Sequence, residues 1–344
     1  MLVNKNISVA RILGLTWFHI IILLVFSGTI ALLYHFKVLT IALPWLPVSV
    51  VGTAVAFYVG FKNNQSYDRM WEARKIWGAI VNSSRSWGAE SSNFISNHYA
   101  IEKLPEEELN TIKKRIIYRH IAWLYALRSQ LLVHTEWEHM SQGKKATKTY
   151  RFYRRKFGVG LFSDVKTNEH LDKYLPDEEQ EPLLSAKNTA TQIINAQAKE
   201  LAELRERGLI DDFRHMELMK VLAEFYDHQG KAERIKKFPL PRQYATVSAW
   251  FVAIFIMLLP FSMIPELMIM GDLGIWVSIP LTALIGWIYV MMELVGDYSE
   301  NPFQGMANDI PMLSLCRTIE IDLLEMLGEK DLPPAIKAKE GILM

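Results

Sequence analysis

An uncharged stretch, Pro47-Val-Ser-Val-Val-Gly-Thr-Ala-Val-Ala-Phe-Tyr-Val-Gly-Phe61, runs without a breaker into the polar segment Lys62-Asn-Asn-Gln-Ser-Tyr-Asp-Arg-Met-Trp-Glu-Ala-Arg74. In a helix, residues four apart lie on one slowly drifting face, which here carries Ser49, Thr53, Phe57 and Phe61. A second flank holds small residues that let helices approach closely: Gly52, Ala56 and Gly60. The pattern predicts a membrane helix with one face able to line a path and one flank able to pack against neighbouring helices.

Three further stretches are long and apolar enough to cross a bilayer. Residues 12–33 contain no acidic or basic side chain apart from His19, and at about 1.5 Å per helical residue they can span a hydrocarbon core of about 30 Å. Residues 38–61 form the second candidate span, whose helix is expected to begin near Pro47. The third and fourth are residues 244–264 and 275–292. The sequence therefore predicts an all-α membrane protein with four transmembrane helices per chain, in two hairpins.

The distribution of basic residues orients both hairpins, because cytoplasmic loops carry an excess of lysine and arginine. Arg69 and Lys75 follow the second span, whereas the loop between the first two spans offers only Lys37. The turn before the fourth span carries Glu266 and Asp272 but no basic residue. Both hairpins are therefore expected to point outward, with the N-terminus, the middle segment and the C-terminal residues on the cytoplasmic side.

This orientation divides the chain into four regions. Residues 1–75 are expected to form the N-terminal segment and the first hairpin. Residues 76–238 are too polar to cross a membrane, but they carry periodic apolar residues, so they should form a large cytosolic helical domain. Residues 239–298 then form the second hairpin, and residues 299–344 form a cytosolic tail.

Within the cytosolic domain, the segment Gly208-Leu-Ile-Asp-Asp-Phe213 separates two predicted helices. Gly208 is expected to end the first helix, because glycine readily adopts the left-handed conformation found just after helix ends. Asp211 or Asp212 can cap the second helix by accepting a hydrogen bond from its first free amides.

The sequence lacks the motifs of the common enzyme classes: it has no P-loop, no GxSxG elbow and no dinucleotide fingerprint. His134 and His139 are five residues apart, so they do not share a helix face as a zinc-binding i, i+4 pair does. The spans lack the buried carboxylates of a proton-coupled pump. A net charge of +1 gives no argument for nucleic acid as a partner. We therefore expect neither an enzyme, nor a metal site, nor a nucleic-acid-binding protein.

Two charged features leave alternatives open. Glu293 lies at the cytosolic end of the fourth span, where it either pairs with a basic residue at the end of the second span or takes part in ion binding. Residues 144–156 interleave basic and aromatic side chains, which suits a solvated face, a subunit contact or anionic lipid. The chain could accordingly be a membrane-anchored helical interaction protein that docks a partner or anionic lipid through its cytosolic domain.

A ring of identical second helices would surround a central path. Such a ring would stack Thr53, Phe57 and Phe61 as three layers, and bulky apolar rings can gate a pore by dewetting. At the inner mouth of that pore, ions would meet Lys62, Asn63 and Asn64. The spacing equally allows Phe57 and Phe61 to be ordinary packing residues that face neighbouring helices.

Four segments resemble the bacterial bestrophins: Gly60-Phe-Lys-Asn-Asn-Gln-Ser-Tyr-Asp-Arg-Met-Trp-Glu-Ala-Arg-Lys-Ile-Trp-Gly78, Asn301-Pro-Phe303, Asn308-Asp-Ile-Pro311 and Ile319-Glu-Ile-Asp-Leu323. The likeness extends in the same order over nearly the whole chain. It implies a homopentameric ion channel in a bacterial inner membrane, with one central pore for small monovalent ions. The resemblance also implies a narrow neck at Thr53, Phe57 and Phe61, and a cytosolic aperture at Phe213. Animal members pass chloride, whereas bacterial members can favour cations such as sodium.

Two positions depart from that family pattern. Thr53 stands where family necks are usually apolar, so its hydroxyl is expected to make the outer ring wetter. Gln304-Gly-Met-Ala-Asn-Asp309 occupies the place of the acidic cluster with which animal members help bind calcium between subunits. One carboxylate and the neighbouring amides supply too few ligands for calcium, which takes about six to eight oxygen atoms. Neither calcium nor another cofactor is therefore expected.

Overall fold

The computed structural model describes residues 1–138 and 167–344, and the regular structure of these residues is almost entirely α-helical. The helices of this part of the chain are α1 (Val9–His35), α2 (Trp45–Phe94), α3 (Glu106–Leu132), α4 (Thr167–Tyr174), α5 (Asp177–Leu184), α6 (Thr189–Glu206), α7 (Asp212–Lys237), α8 (Arg242–Leu267), α9 (Asp272–Asp297) and α10 (Met312–Met326). The predicted all-α class is confirmed. His139 and the basic aromatic residues 144–156 lie outside the described residues.

Helix α2 is a single helix of 50 residues. It begins at Trp45, two residues before the predicted start, and Pro47 lies in its first turn, where a missing amide proton costs no intrahelical hydrogen bond. The helix continues through the junction of Phe61 and Lys62, as the absence of a breaker predicts. At about 1.5 Å per residue it is about 75 Å long, more than twice the thickness of a hydrocarbon core.

The chain forms two compact units, to which α2 contributes in turn. We call Asn4–Arg69 with Pro239–Asn301 the membrane unit, because α1, α8, α9 and the first part of α2 are long and apolar enough to cross a bilayer. We call Met1–Val3, Met70–Phe238 and Pro302–Met344 the helical unit. The residues predicted as a separate tail join the helical unit from Pro302 onward, because α10 buries an apolar face there that includes Cys316, Ile319 and Leu323.

Helix α3 supplies the centre of the helical unit's core. Its buried Trp123 and His120 pack with Phe225 of α7 and Trp87 of α2. The His120 Nε2 lies 2.9 Å from the Oγ of Ser84, and that hydroxyl already donates to the carbonyl of Ile80, so the imidazole is the donor. Complete burial lowers the pKa of His120 to about 3, which keeps the ring neutral at physiological pH.

We expect His120 to make the helical unit less stable in mild acid. The unfolded chain binds a proton at this residue below pH about 6.5, whereas the folded chain does not until pH is near 3, so the free energy of unfolding falls by up to about 1.4 kcal/mol per pH unit in between. The measurement is chemical unfolding, followed by tryptophan fluorescence, from pH 7 to pH 5. His120→Phe, which keeps the ring contacts, should lose about 2 kcal/mol less over this range. Equal losses of the free energy of unfolding in the wild type and in His120→Phe would show that His120 does not cause the acid sensitivity.

A buried carboxylate joins three helices of the helical unit. Glu320 of α10 is 1% exposed and accepts hydrogen bonds from the hydroxyls of Tyr125 on α3 and Tyr174 on α4. Its carboxylate also lies 2.9 Å from the Nε of Arg317 and 3.7 Å from the Nζ of Lys173. Burial, followed by the neighbouring Glu320 carboxylate, raises the pKa of both Tyr125 and Tyr174, so both tyrosines stay protonated and donate to Glu320. Glu320 belongs to the Ile319–Leu323 motif, and in this chain the acid of that motif joins α10 to α3 and α4.

Candidate functional site

The predicted stripe on α2 is exposed on the surface of the membrane unit. The side chains of Phe57 and Phe61 are 67% and 66% exposed, and Thr53 is exposed one turn earlier. The opposite face of the helix carries Val48, Val55 and Val59, which are buried in one cluster with Val252, Phe255 and Leu259 of α8. The two phenylalanines therefore do not serve the packing of their own chain, and their surface is available to water, to lipid or to another copy.

The small flank of α2 serves close packing at one of its glycines. A Cβ atom at Gly52 would lie 2.7 Å from the Cε2 of Phe255, so α8 approaches α2 more closely than a larger residue allows. The hydroxyl of Tyr289 on α9 also donates to the carbonyl of Gly52 at 3.0 Å. A Cβ atom at Gly60, in contrast, would meet no described residue outside its own stretch of helix within 4 Å. The packing prediction is confirmed at Gly52, whereas no other helix of the described chain approaches Gly60 closely.

The hydroxyl of Thr53 is directed to its own helix. Its Oγ1 donates to the carbonyl of Ser49 at 2.9 Å, and the Oγ of Ser49 donates to the carbonyl of Leu46 at 2.8 Å. The proton of Thr53 is thus engaged, and only the lone pairs of its oxygen remain for water. On the exposed face of α2, Thr53 therefore presents a methyl group and acceptor lone pairs, and its donor is used within the helix.

The structure corrects the expectation for Lys62. Its side chain is 1% exposed and its ammonium pairs with the Oε1 of Glu293, so Lys62 lies on the buried face and not at a pore mouth. The alternative in which Glu293 pairs with a basic residue is confirmed. Asn63 is half-buried, and its Nδ2 donates to the carbonyl of Met292 at 3.0 Å. Of the three residues assigned to the inner mouth, Asn64 alone is exposed.

Phe213 lies at the start of α7 with its side chain 83% exposed. Asp211 is the N-cap residue, and its carboxylate accepts hydrogen bonds from the amides of Phe213 and Arg214 at 2.9 and 3.1 Å. Gly208 adopts a φ of +70° just after α6, where its left-handed conformation ends that helix as predicted. The sequence of this turn therefore exposes the large apolar side chain of Phe213 in the first turn of α7.

Arg214 anchors this helix start inside the helical unit. Its guanidinium donates to the carbonyl of Phe94 at 3.0 Å and to the Oγ of Ser96 at 3.1 Å, and it lies over the ring of Tyr99. The sequence alone does not indicate this role, because an arginine close to Asp211 and Asp212 predicts only a local ion pair. Ser248 and Tyr289 were missed for a similar reason, since both act through partners that are distant in the sequence.

Asp309 is the single carboxylate of residues 304–309, the segment in which the sequence predicts no calcium site. It is buried, and it accepts hydrogen bonds from the amides of Phe303, Gly305 and Ile310 at 3.0, 2.8 and 2.7 Å. These bonds use the carboxylate to hold the Asn-Pro-Phe turn, so it does not fit the role of a free calcium ligand. In residues 1–138 and 167–344, no three His, Cys, Asp or Glu side chains are grouped to hold a metal ion.

Comparisons with known proteins agree over most of the chain. The family model described as Bacterial/Fungal Bestrophin protein matches residues 6–325. Voltage-dependent anion channel-forming protein YneE of Salmonella typhi is 25% identical over 97% of this chain and 87% of its own length, and the protein of that name from Escherichia coli strain K12 is 26% identical over 84% and 79%. The crystal structure of a bacterial bestrophin homolog from Klebsiella pneumoniae matches with a TM-score of 0.72 and 23% identity, over 91% of this chain and 99% of that one.

Proposed function

Because the chain belongs to the bacterial and fungal bestrophin family, we propose that it forms an ion channel, not an enzyme, in which five copies surround one central pore. The observation that carries this proposal is the stripe of α2. It lies in the part of α2 that is apolar enough to cross a bilayer, and its two phenylalanines are left exposed by their own chain. A ring of such helices buries these side chains around an axis and at the same time encloses a narrow path.

The neck of this pore consists of three rings, formed by Thr53, Phe57 and Phe61 from each copy. Phenylalanine rings disfavour a continuous column of water in a narrow path, so they raise the barrier for a hydrated ion. Phe213 forms a second constriction at the cytosolic exit, held by the cap at Asp211 and the anchor at Arg214. Asn64 can meet ions below the neck, whereas Lys62 takes no part in the pore lining.

The ions are small and monovalent, and we propose anions such as chloride first because the curated relatives are named as anion channels. Apolar rings do not fix the sign of the ion by themselves. The edge of a phenyl ring is electropositive and faces an anion favourably, whereas its face attracts a cation such as sodium. The engaged hydroxyl of Thr53 gives an anion no hydrogen-bond donor, so ring edges are left to stabilise it.

The protein resides in the bacterial inner membrane as a multi-pass protein with four transmembrane helices, and both termini are cytoplasmic. This orientation rests on Arg69 and Lys75 after the second span and on the acidic turn before the fourth. It places the helical unit in the cytosol. No cofactor is required, since passive conduction needs only the path and the ion gradient.

The test is a reversal-potential measurement on purified protein in planar bilayers under a salt gradient. We expect a current whose reversal potential follows the chloride gradient, and which shifts when chloride is replaced by a large organic anion. A shift seen only when sodium is replaced by a large cation would reverse the assignment of the ion. A conductance no greater than that of protein-free bilayers, under every salt condition, would refute the channel.

The second candidate function is that of a membrane-anchored interaction protein. It is favoured by the basic and aromatic residues 144–156, which lie outside the described residues. Under that function, charge reversal at Arg154 and Arg155 abolishes activity while substitutions in the neck are silent. Under the channel proposal, substitutions in the neck change ion conduction, whereas charge reversal at Arg154 and Arg155 leaves conduction intact.

A further inference from the structure

The apolar part of α2 packs on α8 and α9 through Val55, Val59 and Gly52, while its other faces carry apolar residues as well. Lys62 is the one charged residue between Trp45 and Tyr67, and apolar residues surround the helix before it on every side. Lipid and neighbouring helices accept such a surface in many orientations, because no side chain there strongly prefers water. Lys62 is therefore the side chain in this part of α2 for which the observed rotation, with Phe57 and Phe61 facing outward, depends on a charged partner.

A polar cluster holds α2 against α8 and α9 directly below the stripe. The ammonium of Lys62 pairs with the Oε1 of Glu293 on α9, and the Oγ of Ser248 on α8 donates to the second oxygen, Oε2, of the same carboxylate. The neighbouring Asn63 donates to the carbonyl of Met292. Both carboxylate oxygens are thus satisfied, and three helices of the membrane unit meet at one point.

The direction of Lys62 follows from helix geometry. At about 100° per residue, its side chain lies about 100° from Phe61 and about 140° from Phe57, so it points away from the stripe. An ammonium at this depth is stable only with a partner or in water. If Glu293 loses its charge, a rotation of α2 that carries Lys62 toward the place now held by Phe61 would bring the ammonium to the exposed face of the helix.

We propose that the pair of Lys62 and Glu293, supported by Ser248, is the positioning element that sets the rotation of α2 and thereby selects which side chains form the neck. This inference rests on the proposed pore, because the pair would determine which side chains of α2 line its neck. Lys62 and Glu293 act through the helix and do not touch the ion.

The experiment measures which face of α2 is wet, without recourse to conduction. Thr53→Cys lies on the stripe, and Val51→Cys lies about 160° away at nearly the same depth. Each is made in the otherwise unchanged protein, whose own Cys316 is buried and serves as the blank. The reaction rate with a membrane-impermeant thiol reagent added outside is compared in three backgrounds: unaltered, Glu293→Gln, and Lys62→Met with Glu293→Gln.

With Glu293 intact, the cysteine at position 53 should react at least about tenfold faster than that at position 51. In Glu293→Gln the unpaired ammonium rotates the helix, and the ratio of the two rates should fall at least about fivefold. The double variant has no charge to relocate, and the packing of Val55, Val59 and Gly52 on α8 favours the observed rotation, so its ratio should return to within about twofold of the original. This rescue distinguishes positioning from a merely structural role, in which both altered backgrounds lose stability and neither changes the ratio.

An unchanged ratio in Glu293→Gln, or equal changes in the single and double variants, overturns the positioning role while leaving the pore intact. Equal rates at positions 51 and 53 with Glu293 intact overturn the pore lining itself. If Glu293→Gln does not assemble, Ser248→Ala keeps the ion pair but frees one carboxylate oxygen. The ratio should then fall in the same direction by about twofold, and an unchanged ratio again refutes the inference.

Discussion

Replacing Phe57 and Phe61 together with alanine should raise ion flux through the protein at least about tenfold, which corresponds to a barrier lower by about 1.4 kcal/mol. In a pentamer the double substitution removes ten phenyl rings from the proposed neck, so water can enter where these rings would exclude it. Because both side chains are about two-thirds exposed in their own chain, their removal leaves no cavity in its core. The flux is measured in liposomes at equal protein density.

The matched control for this prediction is Phe18→Ala. Phe18 lies on α1, its side chain is 51% exposed, and it is not part of the stripe. Its substitution should leave the flux within about twofold of the wild-type value, since truncating a surface side chain away from the path changes little. Equal effects of the two changes, or an unaltered flux in the double variant, would show that the stripe does not limit conduction.

Replacing Glu320 with alanine should cost about 3–5 kcal/mol of the free energy of unfolding of the helical unit. The change leaves Arg317 without its carboxylate and the hydroxyls of Tyr125 and Tyr174 without their acceptor, all inside the protein. Glu320→Gln keeps the shape and one acceptor oxygen, so it should cost clearly less. Thermal and chemical unfolding followed by circular dichroism would measure both losses.

Asp322, two residues along the same helix, provides the control for Glu320. It pairs with Arg85 at 2.8 Å, but its side chain is 26% exposed and that of Arg85 is 49% exposed. Solvent screens such a pair, so Asp322→Ala should cost no more than about 1 kcal/mol. A loss at Glu320 no larger than the loss at Asp322 would contradict the role of the buried carboxylate.

The positions of the membrane helices could be predicted from the sequence because uncharged apolar runs of about 20 residues are typical of membrane spans and rare elsewhere. Residues 12–33, 244–264 and 275–292 fall inside α1, α8 and α9, which extend beyond these runs by two to five residues at each end. A few residues on either side of an apolar run can also be helical without changing its apolar character, so the sequence predicts the ends of these helices less well than their centres. The caps at Gly208 and Asp211 were predictable for a different reason, since their backbone chemistry is local.

The contacts between distant residues could not be predicted. Lys62 follows a membrane stretch directly, and sequence spacing alone does not indicate whether such a lysine points to water or to a partner. Its partner, Glu293, belongs to another hairpin, and so does Phe255, which packs against Gly52. The exposure of Phe57 was likewise undecided, because a stripe that recurs every fourth residue fits a packed face as well as an open one. Only the tertiary structure separates these cases.

The pair of Lys62 and Glu293 also has a consequence for biosynthesis. The two residues are separated by 231 positions, so at about 5–20 residues per second the lysine is made roughly ten to fifty seconds before its partner. Throughout that interval its ammonium must remain in water or among lipid headgroups. The first hairpin is therefore an assembly intermediate in which Lys62 has no ion-pair partner. The membrane unit is complete only when α9, which carries Glu293, has been inserted.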